Sequence, residues 1–239
     1  MLAFLKRSIA SFSLGERILF TVSATFIVAS FLIFDRENYM TLAASLIGVT
    51  SLLYNAKGNP VGQALMVIFS ILYGIISYTF NYYGEIITYL GMTMPMAFFA
   101  LISWLRHPYR GNRSEVAVNR LRAREYGLIF LAAAGVTVAF GYILAYFNTA
   151  NIIPSTLSVT TSFIAVYLTF RRSPCYALGY AANDIVLIIL WILAAREDIS
   201  YLSVVICFSC FLVNDLYGFF SWKKAEKRQR NEAALPPQN

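Results

Sequence analysis

The stretch YAANDIVLIILW, Tyr180 to Trp191, decides the fold. It lies about halfway along an apolar run, 174–195, long enough to cross a bilayer. A carboxylate or carboxamide in hydrocarbon is unfavourable by a few kcal/mol, so the adjacent Asn183 and Asp184 need a reason to be there. The next apolar run carries a second such pair, Asn214 and Asp215, in FLVNDLYGFFSW. Polar pairs at this depth mark a substrate path or a packed polar contact, and the rest of the chain reads as the scaffold that places them.

Working outward, the chain has 239 residues, 59% of them hydrophobic and 13% charged, with a mean hydropathy of +0.62. A soluble domain carries about 25% charged residues, so the composition predicts an all-α integral membrane protein. Eight apolar runs have the length of transmembrane helices: 17–34, 39–56, 60–82, 84–105, 126–147, 153–170, 174–195 and 199–222. With both termini cytoplasmic, the inner segments hold 17 of the 19 Lys and Arg, and the outer ones only Arg36 and Arg196. The net charge of +7 is therefore topological and suits anionic lipid headgroups; no nucleic acid is expected. Three cysteines, all in apolar runs, offer neither a disulfide framework nor a metal site.

The segments follow in order: an amphipathic lead-in, 1–16; an extra transmembrane helix, 17–38; a three-helix bundle, 39–105; a basic cytoplasmic loop, 106–125; a linking helix, 126–152; a second bundle, 153–223; and a cytoplasmic tail, 224–239. The turn KGNP ending at Pro60 resembles RRSP ending at Pro174, 114 residues later. Each is followed by a span, a short outer turn, and a span closing in Ser-Trp and a base, SWLR at 103–106 and SWKK at 221–224. Helices 2–4 thus match helices 6–8, a parallel 3+1+3 repeat that places a substrate site between the halves near the midplane.

At 1.5 Å per residue, Asp184 lies roughly 15 Å and Asn214 roughly 12 Å from the inner ends of their helices. Phe69 and Tyr73 on helix 3, and Tyr89 and Thr93 on helix 4, extend this layer across the first bundle, with Tyr217 on helix 8. Tyr180, Asn183 and Asp184 share one helix face. A ring, a carboxamide and a carboxylate together suit a flat, hydroxylated, cationic ligand. The competing reading makes Asn183 and Asn214 interhelical glue alone. Against it, Asp184 and Asp215 have no Lys or Arg within any span to pair with. Pro95 inside helix 4 reads as a hinge or a packing kink. Glu85 reads most simply as a helix N-terminal carboxylate. No hydrolase, zinc-peptidase or nucleotide-binding motif appears, so no enzyme activity or cofactor is expected, and any transport is facilitated or ion-coupled.

The segment YYGEIITYLGMTMPMAFFALISW, 82–104, resembles a pattern of YGE, then PMQ, then a closing tryptophan; YAAND, 180–184, resembles a motif of Trp, two residues and a polar or small residue, often followed by Asp. The last apolar run, YLSVVICFSCFLVNDLYGFFSWKK, resembles the matching final helix. In this order over roughly 40–225 they resemble the PnuC family of vitamin transporters, best known for nicotinamide riboside. The resemblance implies a bacterial inner-membrane facilitator with a SWEET-like fold, a homotrimer, and trapping of the vitamin by a cytosolic kinase. It places Tyr180 where the motif tryptophan stacks, Asn183 at its polar partner, and Asn214 and Tyr217 in the matching stretch of helix 8. Ala97 replaces the family's Gln, Tyr180 its tryptophan, and Tyr89 a common Asn. Relatives of this fold are associated with thiamine or riboflavin, so thiamine is the alternative substrate; a non-transporting membrane scaffold is the alternative class.

Overall fold

The structure, a computed structural model, describes residues 12–79, 83–149 and 151–234. Most of the expected amphipathic segment 1–16, and the last residues of the 224–239 tail, lie outside these. Eight helices among the described residues are long and apolar enough to cross a membrane. They are α1 (Leu14–Phe34), α2 (Tyr39–Ala56), α3 (Val61–Thr79), α4, α5 (Ala123–Tyr146), α6 (Ile152–Phe170), α7 (Tyr176–Ala194) and α8 (Leu202–Ala234). α4 runs as Tyr83–Ile86, a π-helical stretch Ile87–Thr93, and Met94–Arg106.

Local chemistry sets the helix ends. Ser13 starts α1 through a reciprocal capping box, its hydroxyl accepting from Glu16 N–H while the Glu16 carboxylate accepts from Ser13 N–H. α2 and α6 end alike. Gly58 (φ 66°) and Arg172 (φ 57°) take the left-handed conformation after the last turn. The next N–H then reaches back, Asn59 to Tyr54 O and Ser173 to Leu168 O. Pro60 and Pro174 follow and cannot continue the helix.

Six helices close into a ring in which α2 packs on α3, α3 on α4, α4 on α6, α6 on α7, α7 on α8, and α8 back on α2. α5 lies outside, against α6, and α1 outside, against α2 and α8. Most of α5 faces away from protein, with Leu128, Phe130, Leu131 and Tyr142 exposed, as a lipid-facing helix requires. Close approach of α7 to α6 depends on Gly179, where an added Cβ would stand 2.9 Å from Ala165 Cα.

At the basic end of the bundle, the Ser-Trp pairs tie the ring shut. Trp104 N–H donates to Thr169 O (2.9 Å) and Ser103 to Phe170 O (3.0 Å). Trp222 N–H donates to Asn55 O (2.7 Å) and Ser221 to Ala56 O (2.7 Å). So α4 caps the end of α6, and α8 caps the end of α2.

The 106–125 segment is more ordered than a polar loop. Pro108–Tyr109 and Asn112–Val116 form a β-hairpin through a two-residue turn, Arg110–Gly111, both with positive φ. The hairpin strand and the residues after it strap the bundle, Val116 N–H donating to Gly58 O and Asn119 N–H to Arg172 O. The tail is also helical, since α8 runs 33 residues without a break. Its extension clamps the strap: buried Gln229 donates to Val116 O and accepts from Val118 N–H, and Arg228 pairs with Glu115, Arg120 with Glu226.

Candidate substrate site in the helix ring

Inside the ring, side chains of α3, α4, α7 and α8 build an aromatic box. Tyr73 and Tyr89 lie with ring centroids 4.4 Å apart, and Phe69 is 5.5 Å from Tyr73 and 5.9 Å from Tyr89. Trp191, Phe208 and Phe211 complete it, at 6.3 Å and 5.9 Å from Tyr73 and 5.7 Å from Phe69 respectively. Rings at these separations pack tilted and edge-on against one another. Phe69, Tyr73 and Tyr89, expected at a substrate site, pack together here. Trp191, Phe208 and Phe211 were not singled out in the sequence, because an aromatic in an apolar run is indistinguishable there from a lipid-facing one.

The π-helical stretch explains how α4 serves this box. Met94 N–H reaches Tyr89 O, five residues back, and Pro95 then has no N–H to give. The helix is thus widened just upstream of Pro95, the residue expected to act as a hinge or a packing kink. Tyr89 and Thr93 are buried on it, and the Thr93 hydroxyl has no hydrogen-bond partner among the described residues.

Below the box lies a polar layer on α6, α7 and α8. Asn183 Oδ1 accepts from Thr161 (2.8 Å) and Ser162 (3.0 Å) of α6. Using the carboxamide oxygen twice leaves its N–H groups as the donors for a ligand. Asp184 turns to α8 and lies close to Asp215. The two carboxylates that the sequence left without a cation partner are thus neighbours. Asp184 Oδ2 still has no partner among the described residues. Tyr180 is buried beside them, hydrogen-bonded to Thr169 and 6.1 Å from the Tyr176 ring.

Asn214 and Tyr217, expected as pore contacts, bond to groups away from this constellation. Asn214 donates to Ser23 Oγ of α1 (3.0 Å) and to Cys210 O, and Tyr217 donates to Glu16 of α1 (3.1 Å). Helical geometry is the reason: Asn214 and Asp215 are neighbours, and a 100° step turns one outward to α1 when the other faces α7. Glu85 moves the other way. Expected as the N-terminal carboxylate of helix 4, it lies in the first turn of α4 but is only 3% exposed, close to Ser158 of α6 and to the phenols of Tyr73 and Tyr89.

The chain has known counterparts. The model of the nicotinamide mononucleotide transporter family matches residues 38–224. The chain belongs to that family. The family is one of membrane transporters rather than enzymes, and the eight apolar helices make this member a multi-pass membrane protein. The chain is 26% identical over 205 residues to the nicotinamide riboside transporter PnuC of Neisseria mucosa, covering 84% of this chain and 78% of that one. It is 22% identical over 194 residues to the nicotinamide riboside transporter PnuC of Haemophilus influenzae, covering 80% and 82%. The crystal structure of the vitamin B3 transporter PnuC superposes with a TM-score of 0.83 over 96% of this chain and 99% of that chain, at 22% identity, which is a likeness of fold. The family match starts at residue 38, so α1, to which Asn214 and Tyr217 bond, falls outside it.

Proposed function

We propose that this chain takes up nicotinamide riboside by facilitated diffusion. The observation that carries the reading is the sign of the buried charge. Glu85, Asp184 and Asp215 are buried in the spans at 3% exposure each, and no Lys, Arg or His lies between the ends of any apolar run. A site with acids, no bases and clustered tyrosines favours a cation with an aromatic ring. The pyridinium of nicotinamide riboside is one. The corresponding mononucleotide adds a phosphate that would find no positive partner, and desolvating it unpaired is strongly unfavourable. Thiamine shares the cation and the ring and is the second reading. The names of the curated relatives favour the riboside.

In this proposal Tyr180, Tyr73, Tyr89 and Phe69 stack on the ring, while Asn183, Thr93 and Asp184 bond its amide and hydroxyls. Asn214 and Tyr217 hold α8 to α1. The matching ends of α2 and α6, and the reciprocal Ser-Trp bonds, support a parallel 3+1+3, SWEET-like repeat with α5 as the link and α1 added. The basic end faces the cytoplasm of a bacterial inner membrane, both termini with it, as the distribution of Lys and Arg supports. A homotrimer and trapping by a cytosolic kinase are further parts of the proposal, resting on resemblance.

The test is uptake of labelled nicotinamide riboside into proteoliposomes. Saturable uptake independent of an imposed proton gradient, abolished by Asn183→Ala, is expected. Uptake that vanishes when the gradient is collapsed would make the Asp184–Asp215 pair a coupling site and overturn the facilitator reading.

A further inference from the structure

The sequence assigns Glu85 to the helix dipole, and the structure keeps it in the first turn of α4 but buries it. A dipole-capping carboxylate sits at the water boundary and accepts from free backbone N–H groups of the first turn. Glu85 is instead 3% exposed and lies against another helix, close to Ser158 of α6, whose hydroxyl donates to Ser155 O. Glu85 Oε2 has no hydrogen-bond partner among the described residues. No cation pairs with it among the described residues either, and a buried carboxylate with half its acceptor capacity unused is unfavourable unless something positive visits it.

What it faces gives the class of visitor. Glu85 bears electrostatically on the phenols of Tyr73 and Tyr89, whose rings are 4.4 Å apart and form one wall of the aromatic box. It precedes the π-helical stretch Ile87–Thr93 that carries Tyr89 and the unpartnered Thr93 hydroxyl inward. The end of the bundle to which Glu85 belongs is acidic: Asp35, Glu37, Glu197 and Asp198 sit there against Arg36 and Arg196 alone. Potential and carboxylate therefore draw a cation in from that end, and the tyrosines receive its ring.

We infer that Glu85 is the specificity-determining carboxylate that reads the positive charge of the transported ring, at the entrance of the aromatic box and ahead of the Asn183–Asp184 layer. The inference rests on the riboside reading and deepens it by assigning the charge selection to one residue. Hydroxyl and amide recognition then belongs to the deeper layer. Substrates of the same shape are separated at Glu85 by charge alone.

The experiment is isothermal titration of the purified full chain with two ligands of nearly equal size: nicotinamide riboside, a cation, and 1,4-dihydronicotinamide riboside, which is neutral. The native protein is expected to prefer the cation by on the order of tenfold or more, the effect of a desolvated charge partner. In Glu85→Gln the cation's affinity falls by that factor, the neutral form's changes far less, and the preference disappears. Glu85→Asp, which keeps the charge, retains the preference. A preference that survives Glu85→Gln, or equal loss for both ligands, overturns the inference while leaving the riboside reading intact. A native protein that binds neither ligand overturns both. Thermal unfolding of each variant reports folding, and if Glu85→Gln fails to fold, a lost preference in Glu85→Asp overturns the inference.

Discussion

The indoles of Trp104 and Trp222 lie 5.3 Å apart, and each donates its N–H to a carbonyl in the last turn of the helix next to its own, Trp104 to Thr169 of α6 and Trp222 to Asn55 of α2. α4 is thereby tied to α6 and α8 to α2 at the basic end, the two places where the helix ring passes between its chain halves. Both acceptors, Thr169 and Asn55, belong to last turns that end in the same left-handed cap. The bundle is thus latched twice, by the same chemistry.

Trp222→Phe keeps a ring in the stack and removes one buried hydrogen bond, so it should lower stability by about 1 kcal/mol. Trp222→Ala also removes the ring and should lower it by about 3–5 kcal/mol. In a double-mutant cycle with Trp104→Phe, thermal unfolding in detergent should give a coupling above about 0.5 kcal/mol, because the rings touch. Strict additivity would mean that the two latches act independently.

Gly179→Ala should destabilise by about 1–3 kcal/mol, since the new Cβ meets helix backbone, which cannot rotate away as a side chain can. Gly48→Ala is the comparison. There the new Cβ meets the Phe211 ring, so that variant should instead disturb the aromatic box and weaken ligand binding. Equal stability and binding for both variants would contradict the packing described for α6 and α7.

Asp215→Asn can donate a hydrogen bond to the Asp184 carboxyl and should change stability by less than about 1 kcal/mol. Asp215→Ala leaves a buried carboxyl without its partner and should lower stability by about 1–3 kcal/mol. Equal unfolding temperatures for the two variants would show that the pair is not a structural contact between α7 and α8.

The clamp at the basic end should respond to acid. Burial alone would raise the Glu226 carboxyl above its ordinary value of 4.5, but its bonds to Arg120 and Lys223 outweigh this and hold it lower. A lowered folded-state value contributes stability above the ordinary value, and that stability is lost as pH falls through the lowered one. Hydrogen exchange in residues 224–234 should therefore stay slow at neutral pH and accelerate below about pH 4.5. In Glu226→Gln the acid step should disappear. An acid step of the same size in that variant would assign it to other carboxyls.

Much of this was legible in the residues. Apolar run length alone gives eight membrane helices, because a bilayer leaves a spanning chain few other solutions. The turns KGNP and RRSP were read as equivalent, and they fold identically because both place a left-handed residue before a proline. The side-chain azimuth was harder. Asn214 and Asp215 were both read as midplane groups, and depth was the right measure for each. Depth does not say which way a residue faces, and one helical step separates a ring-facing acid from an α1-facing amide. Glu85 escaped for a related reason: its place at a helix start suggested water, whereas Ser158 on α6 shows protein. The 110–111 pair Arg-Gly, both with positive φ, was a hairpin signal passed over inside a basic loop.

The central claim is that the buried acids and the absence of buried bases select a cationic riboside. Calorimetric titration of the purified protein with nicotinamide riboside and with nicotinamide mononucleotide, under one buffer and salt, tests it most directly. The account predicts saturable binding of the riboside, with the mononucleotide weaker by at least about a hundredfold because its phosphate has no partner in the ring. Equal affinity for the two, or tighter binding of the mononucleotide, would contradict it.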